Sequence, residues 1–100
     1  MNNEPQKQVQ LQIKATDEDL KGRYANAMRV GHTKEEFILD FFLLDAAAGQ
    51  GQVTGRIVVS PGHAKRIVAV LAENIKIYEG AFGEVEAAKE PSSSFGFTDR

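Results

Sequence analysis

The sequence predicts an α+β fold, a four-stranded and mostly antiparallel sheet followed by one long amphipathic C-terminal helix packed on one face. Three observations carry that expectation. Segments of period two recur from Gln8 to Ser60. One stripe of helical period then runs from Ala64 to Phe82. The strands all precede the helix, which favours a meander with a helix laid across it over alternating parallel units.

The first strand is expected at 8–15, where Val9, Leu11, Ile13 and Ala15 alternate with Gln8, Gln10, Gln12 and Lys14. The acidic TDEDLKG stretch, residues 16–22, reads as a turn with room for one loop of helix. Residues 22–32 form the second strand candidate, with Tyr24, Asn26, Met28 and Val30 on one face. Helix is the competing assignment, because Ala, Met and Arg are good helix formers, but period two accounts for more of the apolar positions. Thr33 and Glu36 sit at capping-box spacing in the turn that follows.

EFILDFFLLD, residues 36–45, is apolar on both faces: Phe37, Leu39, Phe41 and Leu43 on one, Ile38, Asp40, Phe42 and Leu44 on the other. Such a strand must be covered twice. AAAGQGQ, residues 46–52, reads as a loop, and 53–60 returns as the fourth strand. Ser60 then caps the helix, Pro61 suits its first position and Gly83 its end. The inner stripe of Ala64, Ile67, Val68, Leu71, Ile75, Tyr78 and Phe82 is expected to form the core against the sheet.

The domain organisation follows: a flexible lead at 1–7, a single domain at 8–84 and a flexible tail at 85–100. A domain of that size buries only about 60% of its unfolded surface and is marginal alone. The chain has no cysteine, so no disulfide supplements the core. The expected remedy is self-association, as a homodimer or a dimer of dimers. One helix covers one sheet face, and a second copy would cover the other. The candidate subunit contact is Ile38, Phe42 and Leu44 with the outer helix ribbon of Val70, Asn74 and Ile77. The tail residues Phe95 and Phe97 are candidates for docking on a partner or neighbouring copy, against the simpler reading of an unstructured end.

Net charge is −2 with mixed signs, which gives no global attraction to nucleic acid or acidic lipid. The opening MNNEPQKQ is polar and no apolar run is long enough to span a bilayer, so the cytoplasm is the expected compartment. The one cluster suited to a ligand is the helix start. Ser60, Gly62, His63, Lys65 and Arg66, with Arg56 on the preceding strand, place cations where they oppose the macrodipole. A phosphate or carboxylate would offset that, although such charges more often pair with acidic side chains or face solvent. His32 and His63 lack ligand spacing, so no metal, cofactor or catalytic residue is assigned. Asp40 is expected in a polar network, with Asn26, Arg29 or Arg56 as its partner.

Tyr24-Ala25-Asn26, Val30, His32-Thr33, Glu36-Phe37, Asp40-Phe41, Arg56-Ile57-Val58 and Pro61-Gly62-His63-Ala64-Lys65-Arg66 form a recognisable series. With Glu73-Asn74-Ile75, Tyr78-Glu79 and Phe82-Gly83-Glu84, it resembles a small prokaryotic family known only as a domain of unknown function. The resemblance covers roughly residues 22–84 and implies a free-standing cytoplasmic protein, with no activity to carry over. More loosely, the order of elements is similar to that of the SecB-type export chaperone. The expected function is therefore a homo-oligomeric scaffold, adaptor or regulator, or a chaperone-like holdase, with an unidentified protein as possible partner. A small enzyme or sensor holding an anion at the helix start is the alternative. Nucleic-acid binding through a dimer-generated basic patch ranks third.

Overall fold

A computed structural model of the chain describes residues 8–89. The expected lead at 1–7 and the tail residues Phe95 and Phe97 lie outside the described residues. Two helices and three strands follow in the order α1 (Asp17–Lys21), β1 (Ala27–His32), β2 (Phe37–Asp45), β3 (Gln50–Val59) and α2 (Pro61–Phe82). The strands form one antiparallel sheet in the order β1-β2-β3. The class is α+β, but the sheet has three strands among the described residues where four were expected. Residues 8–15 alternate as a strand should, yet they have no regular structure, and Ile13 is 89% exposed. Alternation supplies an amphipathic ribbon; a strand also needs a neighbour to accept its ladder hydrogen bonds.

The acidic turn closes into α1 through a reciprocal cap. Thr16 Oγ accepts from the Asp19 N–H at 3.1 Å, and Asp19 returns the bond to the Thr16 N–H at 3.0 Å. The second strand starts at Ala27, later than its alternation suggests, and Asn26 prepares it. The Asn26 backbone N–H donates to the Phe42 carbonyl at 2.9 Å. Its side chain donates to the Leu44 carbonyl at 3.0 Å and accepts from the Leu44 N–H at 2.8 Å, standing in for the next residue pair of the ladder. Asn26→Ala would strip Leu44 of both partners and is expected to destabilise the fold by about 1–2 kcal/mol, read from the denaturant midpoint at constant slope. An unchanged midpoint would show that the clamp is idle.

Thr33 Oγ accepts from the Glu35 and Glu36 N–H groups and tightens the β1–β2 turn. The β2–β3 connection is shorter than expected, four residues at 46–49, because Gln50 to Gln52 pair with Asp45 to Leu43. Gly49 closes that loop at φ 66°, where a side chain would be strained. A register shift falls between Phe41 and Phe42, so Thr54 is the extra residue opposite them, and it is buried. Arg23 Nη1 donates to its carbonyl at 3.0 Å.

The helix α2 begins and ends where the sequence places it. Ser60 Oγ accepts from the His63 N–H at 3.1 Å, and Gly83 at φ 95° donates its N–H to the Glu79 carbonyl. Its expected packing is corrected. No residue of α2 is buried; Leu71 is 57% exposed and Phe82 77%. The β1–β2 and β2–β3 contacts build the sheet, and α2 does not lie over it. The reason lies in the junction. Ser60 alone separates β3 from Pro61, in extended geometry at φ −70°, ψ 158°. Strand-to-helix connections commonly take two to six residues; here a single extended residue precedes a proline of fixed φ, and α2 leads away from the sheet instead of turning back over it.

Candidate functional site

The two faces of the sheet differ in chemistry. On the face of Ile38, Asp40, Phe42 and Leu44, the centre is closed by the chain itself: Asp40 is 4% exposed and Phe42 5%. Arg29 and Arg56 stand opposite Asp40 on the two neighbouring strands. Arg56 grips it with both prongs, Nε to Oδ1 at 2.6 Å and Nη2 to Oδ2 at 2.8 Å. Those hydrogen bonds, then the charges of Arg56 and Arg29, hold the Asp40 carboxyl below the usual carboxylate range, against the opposing effect of burial. Among the three partners expected for Asp40, Arg56 makes the bidentate bond, while Asn26 serves Leu44. The geometry is that of a structural register pin across three strands.

The opposite face is apolar along its centre and carries its one β2 charge at the strand's end, in Asp45. Phe37, Leu39, Phe41 and Leu43 of β2 are flanked by Val30 on β1 and by Ile57 and Val59 on β3. Val30 and Ile57 are about half exposed, Ile57 at 54%, and the β2 residues are only part-buried or, for Leu43, exposed. His32 at its end stacks on Phe37 with ring centroids 5.2 Å apart. This face and the α2 stripe both leave large apolar side chains exposed.

The residues proposed from sequence as a subunit contact divide accordingly. Val70, Asn74 and Ile77 are exposed along α2, Ile38 and Leu44 are half-buried, and Phe42 is enclosed within the chain. The more open sheet face is the one the sequence assigns to the helix.

The cationic helix start is placed as follows. Ser60, Gly62, His63, Lys65 and Arg66 surround the first turn of α2, and all are exposed. Arg56 is held by Asp40, and the Ser60 hydroxyl caps the His63 N–H. Phosphate chemistry would draw on the remaining N–H groups and the flexible cations. Away from it, an open depression of about 240 Å³ lies between Leu43, Asp45, Gln50, Gly51 and Gln52, with one carboxylate and no second ionisable group. Among the described residues, no cluster of three or more His, Asp or Glu is placed to hold a metal ion, and no helix is long and apolar enough to cross a membrane.

Sequence reasoning misses the Asn26 clamp and the Thr54 bulge. The first had a signal, an asparagine just ahead of a strand, since its side chain mimics a backbone amide. The bulge had only the Thr54-Gly55 pair within a β-rich run.

Residues 1–87 match the family model described as "Protein of unknown function (DUF3467)", and the chain belongs to that family. No curated protein and no solved structure matches the chain.

Proposed function

We propose that this member of the DUF3467 family is a homo-oligomeric binding module, a scaffold or regulator whose folded unit is completed by a second copy of itself. The observation that carries this reading is the pair of uncovered apolar surfaces, the Leu39 face of the sheet and the α2 stripe. Fully burying a Val, Leu, Ile or Phe side chain contributes roughly 1.5–3 kcal/mol. Val68, Leu71, Ile75, Tyr78 and Phe82 are each about half exposed or more, so on the order of 5 kcal/mol of burial stays unrealised on the helix alone.

The helix itself needs that cover. It holds Gly62 and Gly80 and the β-branched Ile67, Val68, Val70, Ile75 and Ile77, residues of low to middling helix propensity. An isolated helix is marginal in water even when built of good formers.

Size-exclusion chromatography with light scattering tests the reading. The expected mass is at least twice 11.0 kDa, and the melting temperature should rise with protein concentration, because folding and association are linked. A monomer at micromolar concentration with a concentration-independent melting temperature would overturn it. Holdase activity, a narrower form of the same reading, would use the same apolar surfaces. It predicts suppressed aggregation of an unfolded client.

A further inference from the structure

We infer that the copies are joined by helix exchange: α2 of each chain lies across the Leu39 face of its partner's sheet, and the partner's α2 returns the contact. The inference rests on the homo-oligomeric reading and specifies its geometry. Three features of the chain lead to it.

The helix does not cover its own sheet across the one-residue Ser60 junction, which leaves the open sheet face and the apolar stripe to be matched between molecules. Short junctions of this kind favour swapping an element over folding it back.

Two-fold symmetry makes the exchange reciprocal. One contact type, repeated once, covers both sheet faces and both stripes. Pairing helices alone would leave two sheet faces open, and stacking sheets alone would leave two helices open. The dimensions agree, since α2 is about 33 Å long at 22 residues and β3 about the same at 10 residues.

The exposed apolar side chains are present on both sides of the contact: Val68 is 68% exposed, Leu71 57% and Phe82 77% on α2, and Ile57 54% on the sheet. Burial of such side chains is the main driving force of most association.

The absence of cysteine from the sequence makes the test direct. A chain carrying both Ile57→Cys and Leu71→Cys would be treated with a short bismaleimide and run on a denaturing gel. Both sites are more than half exposed, so neither change should disturb the chain's own fold. A second sheet position, Val30→Cys, guards against a poor reach at Ile57. Mass by light scattering and far-ultraviolet circular dichroism would be measured first. The expected result is a covalent species of twice the chain mass from the double variants, with either single variant alone staying unlinked.

An internal link in a single chain would overturn the exchange in favour of fold-back. Efficient linking of Leu71→Cys alone would overturn it in favour of paired helices. A native dimer that neither double variant links would also overturn it. In each of these cases a dimer by light scattering leaves the homo-oligomeric reading standing, whereas a monomeric mass would end that reading as well.

Discussion

Leu71→Asp/Ile75→Asp is expected to elute as a monomer of 11.0 kDa at concentrations where the native chain runs at twice that mass or more. Both side chains are about half exposed within the chain, so the change touches association and leaves the chain's own contacts in place. Each aspartate loses the apolar burial and must give up water or hold the interface open. With two sites in each of two copies, about 1.5–2 kcal/mol per site sums to about 6–8 kcal/mol, or roughly 10⁴–10⁶-fold in the dissociation constant. Helical signal should fall with mass, because the released α2 keeps no packing. Lys76→Asp provides the control. It places a similar helix-propensity cost on the polar arc and should leave the mass unchanged. A double aspartate variant that keeps the native mass would exclude the α2 stripe from the interface.

What was legible in the sequence was whatever is decided locally. Ser60, Pro61 and Gly83 act within one turn of the helix ends, and α2 begins and ends as they imply. The β2–β3 hairpin was readable from its apolar alternation, but its polar end at Gln50 to Gln52 was not, because a ladder is held by backbone groups that every residue carries. Residues 8–15 show the opposite failure, a pattern without a partner.

The stripe on α2 has the apolar period expected of it, but the structure does not lay it on the chain's own sheet. Periodicity tells which side of a helix is apolar; connection length tells which surfaces that side can reach. The single residue between Val59 and Pro61 was in plain view and argues against packing on the same chain. For the site, the sequence leaves Asp40 three partners to choose from, Asn26, Arg29 and Arg56. Cross-strand register decided among them, placing Arg56 and Arg29 opposite Asp40 and sending Asn26 to Leu44. The register with β3 depends on the position of the bulge at Phe41/Phe42, for which the Thr54-Gly55 pair is the one sequence signal.

That register pin gives the second large effect, on the acid stability of the fold. The Asp40 carboxyl is held below its ordinary value of 3.8, first by the Arg56 hydrogen bonds and then by the charges of Arg56 and Arg29. A carboxyl depressed in the folded state binds protons more readily when unfolded. Its contribution is therefore fully present above the unfolded value and is lost as pH falls through the folded one. The native melting temperature should thus decline as pH drops below about 4, and Asp40→Asn should melt lower at neutral pH with a shallower acid decline. Some decline will remain, because Asp19, bonded to Thr16, is also held below its ordinary value. Arg56→Ala should cost more at neutral pH than Asp40→Asn, since it leaves an enclosed carboxylate without its bidentate donor. Arg56→Lys should fall between native and Arg56→Ala, because a point charge cannot make both bonds. The double variant Asp40→Leu/Arg56→Met should recover much of the loss, as an apolar pair asks nothing of the sheet's interior. If Asp40→Asn kept the native acid profile, the pair would be an ornament of the sheet, and the strands would owe their register to Asn26 and the bulge alone.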